Sequence, residues 1–286
     1  MGFLRKLKHR AAWRRIYYER LTEPLHLNAL SLPVWLFGSF RLKVEYDLVI
    51  RHYNAFGILR AADKAKEAGL HSVSAIEFGV ASGAGLMNMC LIAQKVSALT
   101  GVDVAVYGFD TGKGMPAPRD YRDHPDLYQE GDFAGDLKRL KDSLPSNGQL
   151  ILGELAETVP QFLEQRLKQE CPIGYVVLDV DYYSSTIDAL KLFDGRPEFY
   201  LPTTTIYVDD IHFEAHNEFT GELLAINEFN RRNPLRKICR QDFLECSRLF
   251  RRAEWIKHMF TLQVLDHPNR NSVKKRPLAE LANPYV

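Results

Sequence analysis

The stretch that most restricts the fold is AIEFGVASGAGLMNM, Ala75 to Met89. An apolar run ends at Phe78, a glycine turn follows, and an apolar helical pattern begins near Leu86. A strand that enters a helix through such a turn builds a nucleotide site in α/β folds, where ligands sit beyond the carboxyl ends of the strands. Gly79, Gly83 and Gly85 have the spacing G-x-x-x-G-x-G, with Ala81 inside the turn. Glycines there let the backbone approach a ligand closely; they also serve tight packing.

The rest of the chain repeats the strand–helix alternation. Strands are expected at Val73–Phe78, Val104–Phe109, Gln149–Leu152, Tyr175–Leu178 and Thr204–Val208, with late strands at Arg236–Arg240 and Met259–Leu265. Helices are expected at Tyr46–Gly69, Leu86–Leu99, Thr158–Gln169, Ser185–Phe193 and Gly221–Arg231. A Gly-, Pro- and charge-rich connection, Thr111–Asn147, carries one short helical pattern near Leu137–Leu144. Alternation of this kind predicts an α/β fold: a mostly parallel sheet with helices on both faces. The division expected is an N-terminal extension (1–45), a sheet domain (46–265) and an irregular tail (266–286).

Bulk properties narrow the function classes. The 286 residues carry a net charge of +1, so no global field points to nucleic acid. Four scattered cysteines (Cys90, Cys171, Cys239 and Cys246) argue against a disulfide framework or zinc site and fit a reducing, cytoplasmic setting. No run approaches the roughly 20 apolar residues that span a bilayer, and no apolar signal region precedes a cleavage site. Lys6 stands where a myristoylation signal needs Ser or Thr. Residues 1–20 hold Arg5, Lys6, Lys8, Arg10, Arg14, Arg15 and Arg20 against Glu19, with Phe3, Leu4, Leu7 and Ala11 on one helical stripe. Such a helix either contacts an anionic membrane surface or a partner, or packs on its own domain.

Two enzyme classes share the glycine spacing: short-chain dehydrogenases and methyltransferases. Glu77 separates them, because a carboxylate at the strand end suits the cationic amino-acid end of S-adenosylmethionine and repels a pyrophosphate. None of the thirteen tyrosines is followed by Lys at the Tyr-x-x-x-Lys distance a short-chain dehydrogenase needs. A P-loop is excluded as well: Gly108 and Gly112 are too close together, and Gly114 replaces the Ser/Thr after Lys113. Asp110 ends the second strand, where an acid can accept ribose hydroxyls. Gly153 and Glu154, after the third strand, can frame an adenine edge.

Acids collect at the next two strand ends. VVLDVDYYSST places Asp179 and Asp181 after the fourth strand, and TIYVDDIHF places Asp209 and Asp210 after the fifth. If the strands are neighbours, these carboxylates meet at the edge where the glycine turn opens. They would repel one another unless neutralised, and an all-oxygen set favours Mg²⁺, Ca²⁺ or Mn²⁺. The competing reading is ordinary strand-end aspartates. His212 and His216 follow closely, and either is a candidate general base, His212 the one favoured.

Taken in order, these segments resemble the macrocin O-methyltransferase family, a sugar-methylating branch of the class I methyltransferases. The matching residues are Glu77-x-Gly79-Val80-x-x-Gly83; Asp110 with Gly114, Met115 and Pro116; and Gly153 with Glu157-Thr158-Val159-Pro160. They continue with Asp179-x-Asp181-x-Tyr183-x-Ser185-Thr186, then Asp209-Asp210 with Ala225 and Phe229. The resemblance implies a Rossmann-like seven-stranded sheet with its seventh strand antiparallel, and S-adenosylmethionine as methyl donor. In that family's metal-dependent members, acids matching Asp179, Asp209 and Asp210 hold Mg²⁺, which grips sugar hydroxyls. The chain departs from the pattern at GRPEFYLPTT before the fifth strand, at Ile211, and throughout residues 1–69. The expectation is an O-methyltransferase acting on a small-molecule or glycan hydroxyl, with Asp179 and His212 as catalytic residues. The cofactor contacts would be Glu77, Gly79, Ala81, Gly83, Gly85, Asp110, Gly153 and Glu154. A metal-free methyltransferase and a non-catalytic scaffold subunit are the rivals, and the sequence leaves homo-oligomerisation open.

Overall fold

The computed structural model describes residues 15–212 and 214–270, with side chains from Tyr17. The basic stretch before Arg15 and the tail beyond Arg270, both singled out above, lie outside the described residues. Seven strands form one sheet: β1 (Ser72–Phe78), β2 (Asp103–Asp110), β3 (Gly148–Leu152), β4 (Ile173–Leu178), β5 (Tyr200–Val208), β6 (Arg236–Arg240) and β7 (Met259–Val264). Their order is β3-β2-β1-β4-β5-β7-β6. The first five pair in parallel; β7 runs antiparallel to both β5 and β6. Strand order reverses between β1 and β4, so the carboxyl ends of β1, β2, β4 and β5 open around one crevice.

The central strands are buried on both faces, as a parallel sheet requires. Alternation splits their side chains into two cores. Val73, Ala75, Tyr175 and Val177 face one way, against α3 (His52–Glu67) and α4 (Ala84–Thr100). Ile76, Phe78, Val176 and Leu178 face the other way, against α6 (Leu155–Gln165), α7 (Tyr183–Leu190) and α8 (Gly221–Arg232). The same alternation turns Glu77 toward the α3–α4 side. The remaining helices are α1 (Leu25–Phe37), α2 (Phe40–Glu45), α5 (Leu137–Ser143) and the single turn α9 (Leu244–Ser247).

Most elements lie where the pattern put them, with instructive shifts. The helix expected from Tyr46 starts only at His52, because Asp47 and Arg51 take left-handed backbone (φ 51° and 50°) and bend the chain twice. It ends as expected, with Gly69 at φ 75° and its Leu70 amide donating back to the Ala65 carbonyl. The helix expected from Thr158 begins at Leu155 and carries Pro160 inside it. Apolar α1 was not foreseen. The N-terminal segment is fastened to the far end of the chain. Arg248, 4% exposed, donates to the Asp47 carboxylate at 2.9 Å, and the Trp255 indole donates to the other Asp47 oxygen at 3.1 Å.

Candidate active site

The three glycines of the turn meet three different steric demands. Gly79 follows β1 at φ 82°, and a Cβ there would lie 1.7 Å from the Asp179 carbonyl oxygen. Gly83 caps α4 at φ 81°, with Leu140 of α5 where a Cβ would be. Gly85 sits in the first turn of α4, and a Cβ would come within 2.0 Å of Glu77 Oε1. Asp110 braces the turn from β2. Its Oδ2 accepts the Val80 and Ala81 amides at 2.9 and 3.0 Å, and its Oδ1 accepts the Gly112 amide at 2.7 Å. Ala81 itself is held at φ 46°.

These residues border a cavity of about 460 Å³. Of the expected cofactor contacts, Glu77, Gly79, Ala81, Gly85, Asp110 and Glu154 line it. Gly83 and Gly153 do not line it. Gly83 backs the turn, and the Gly153 amide donates to the Asp110 carbonyl at 3.0 Å, tying the β2 and β3 ends together. Glu77 is 3% exposed and its Oε2 has no hydrogen-bond partner. Burial, and then the neighbouring Asp179 charge, push its carboxyl well above the usual carboxylate range; Arg51 opposes them. A cation bearing N–H groups would satisfy both the orphaned oxygen and the charge.

Asp179, Asp209 and Asp210 line the same cavity and bring one oxygen each within 4.8 Å of the others. β4 and β5 are direct neighbours, which is what the sequence-level expectation required. Burial, then Asp209 and Asp181, push Asp179 up to about 8. Burial, then Glu222, push Asp210 up to about 11. The Tyr207 hydroxyl donates to Asp209 Oδ1 at 2.9 Å and fixes that side chain. Fully buried Glu222 accepts the Val180 and Asp210 amides at 3.3 and 3.2 Å and joins the two acid-bearing strand ends. A divalent cation fits this donor set. All three ligands are oxygens, they already converge, and a positive charge would offset the burial and the repulsion that raise Asp179 and Asp210.

The structure does not bring His212 to this centre. Its ring is exposed, packs edge-on against His258 with centroids 4.5 Å apart, and is not among the cavity-lining residues. The general-base role expected of it has no geometric footing. His216 is buried instead, with Nδ1 3.0 Å from the Asp210 carbonyl oxygen and its ring stacked on His124.

Several site residues escaped sequence reading. Arg51 lines the cavity from the start of α3 and donates to the Tyr53 hydroxyl at 2.7 Å; Tyr53 in turn stacks on Tyr207 at 3.9 Å. No motif marks Arg51. The Thr111–Asn147 connection carried a signal, since long Gly- and Pro-rich connections are often functional. It forms a flap in which the Met115 amide donates to the Asp132 carbonyl and the Gly131 amide to the Met115 carbonyl. Met115, Tyr128 and Phe133 of this flap wall the cavity. Buried Asp123 ties the flap to the start of α7 through the Ser184 amide and hydroxyl, at 2.8 and 2.9 Å.

No family model and no curated protein matches the sequence. Among solved structures, the chain is similar to CalS11, a calicheamicin methyltransferase (19% identity, 72% of this chain and 84% of that chain, TM-score 0.48). It is also similar to MnmC2 from Aquifex aeolicus (14% identity, 73% and 58%, TM-score 0.37). A third likeness is to the plantazolicin methyltransferase BpumL in complex with SAH (10% identity, 83% and 97%, TM-score 0.31).

Proposed function

We propose that this chain is an S-adenosylmethionine-dependent O-methyltransferase, assisted by a divalent metal, that methylates a hydroxyl of a sugar, glycoside or similar polyol. One observation carries the reading. A buried carboxylate with an orphaned oxygen, Glu77, and a converging acid triad, Asp179, Asp209 and Asp210, face one cavity across the β1–β4 switch point. The first asks for a cation with N–H groups, as the amino-acid end of S-adenosylmethionine provides. The second asks for a metal ion.

The residues then divide the work. Glu77 takes the donor's α-amino group, and Arg51, close beside it, takes the donor's carboxylate. Asp110 receives a ribose hydroxyl on the one Oδ1 lone pair that the turn amides leave over. Phe109 and Leu155 give apolar cover to the adenine, with Glu154 at its edge. Asp179, Asp209 and Asp210 would hold Mg²⁺, which would bind the acceptor hydroxyl, and Asp179 would take that hydroxyl's proton. When bound, the metal would lower the pKa of a coordinated hydroxyl, the effect by which a zinc ion takes bound water from 15.7 to about 7. Tyr207 and Glu222 keep the acids in place, and the flap keeps water from the reacting atoms. The rate gain comes from orientation and charge stabilisation.

The cavity charge favours the acceptor class. Nine acids line it against two cations, Arg51 and Arg119. Polyanions, nucleic acid included, are repelled, whereas neutral polyhydroxyl compounds are admitted. The test is thermal unfolding with S-adenosylhomocysteine, NADH and Mg²⁺, separately and together. S-adenosylhomocysteine should raise the midpoint and Mg²⁺ should raise it further, with NADH inert. A rise with NADH alone would overturn the reading.

A further inference from the structure

We propose that α1 docks this protein on an anionic lipid surface, with the basic segment before it supplying the charge. α1 reads LHLNALSLPVWLF; it holds no Lys, Arg, Asp or Glu, and none of its thirteen residues is buried. A helix on a soluble domain normally turns its apolar stripe inward. Here Leu25, Trp35 and Phe37 are 77%, 56% and 86% exposed. Half of the large exposed apolar side chains among the described residues lie between Tyr17 and Ile50.

The exposure belongs to a fixed element. Asn28 donates to the Arg20 carbonyl at 2.7 Å, and Glu23 accepts the Arg252 amide at 2.6 Å. Arg20 lies over the Phe250 ring at 3.8 Å. The root of α1 is therefore anchored to the C-terminal part of the domain, with Leu27 against the core, while most of its other apolar side chains project outward. At about 1.5 Å per residue the helix is far shorter than the roughly 30 Å hydrocarbon core, so it can lie in the interface but cannot span. Among the described residues no helix is long and apolar enough to cross a membrane.

Charge selects the occupant. Residues 1–20 carry seven cations and one acid, a net of +6 in a chain whose total is +1. Lys43 follows α1 on its other side, whereas Arg41 there is paired with Asp63 at 2.6 Å. Leu, Trp and Phe flanked by cations are the composition that lies at anionic headgroups. A second copy of the chain is the weaker occupant, because a two-fold contact through α1 would bring two such cationic segments together.

The experiment is co-sedimentation of the full chain with phosphatidylcholine vesicles, with and without phosphatidylglycerol, and light scattering of the free protein. Wild type should bind the anionic vesicles, bind neutral ones much less, and dissociate as salt rises. Trp35→Glu combined with Phe37→Glu should lower binding about tenfold, as should Glu at Arg5, Lys6, Lys8 and Arg10 together. Both variants should unfold at the wild-type temperature, since the described positions changed are on the surface. Absence of vesicle binding, or equal binding to neutral vesicles, overturns the proposal. So does a wild-type dimer that the Trp35/Phe37 variant converts to monomer. No methyl donor or metal enters the assay, so its outcome is separate from the enzymatic reading.

Discussion

At the scale of the residue, the site is defined by carboxylates withdrawn from bulk water, Glu77, Asp210 and Glu222 buried and Asp179 and Asp209 half-buried. Asp179 shows the consequence. In the metal-free folded chain it keeps its proton to about pH 8, against an ordinary value of 3.8. The unfolded chain loses that proton first, so the folded state binds more protons and stability falls as pH rises through that window. The unfolding midpoint of metal-free protein should therefore decline from about pH 4 to about pH 8. Asp179→Asn should flatten the decline, and Mg²⁺ should stabilise more strongly at the alkaline end; an unchanged slope in the variant would remove Asp179 as its source. Gly85 offers a second check, because a methyl group there displaces the Glu77 carboxylate. Gly85→Ala should weaken S-adenosylhomocysteine binding by about tenfold or more, roughly 1.4 kcal/mol, as read by calorimetry. Replacing exposed His212 by Ala should leave turnover within about twofold of wild type, because the ring does not face the cavity.

At the scale of the element, each strand end delivers one part of the site, and the N-terminal segment delivers Arg51. That delivery depends on the Asp47–Arg248 pair, buried on both sides. Arg248→Met keeps bulk but strands the Asp47 charge, and should cost about 3–5 kcal/mol in urea unfolding. A loss below about 0.5 kcal/mol would mean the segment is held by other contacts. Strands, helices α4 and α8, and the glycine turn were legible because period and punctuation are local: six buried positions in β4, or Gly101 ending α4, announce themselves. The N-terminal bends were not legible. Left-handed Asp47 is held by contacts with Arg248 and Trp255, some two hundred residues away, and nothing local marks left-handed Arg51.

At the scale of the whole molecule, function depends on strand order. The acid triad could be read from two short segments, yet its meaning hung on β4 and β5 being neighbours, which spacing alone does not decide. Arg51 and Glu222 stayed hidden because nothing near them in sequence marks them; only folding brings them to the acids. His212 misled for the opposite reason, since proximity in sequence to Asp210 did not carry its ring into the cavity. The central claim is that one crevice holds methyl donor and metal side by side. Anomalous diffraction from crystals grown with S-adenosylhomocysteine and Mn²⁺ tests it most directly. The expected map has one manganese peak ligated by Asp179, Asp209 and Asp210, with the S-adenosylhomocysteine amino group on Glu77. A map with no manganese at the triad, or with the nucleoside bound away from the glycine turn, would contradict the account.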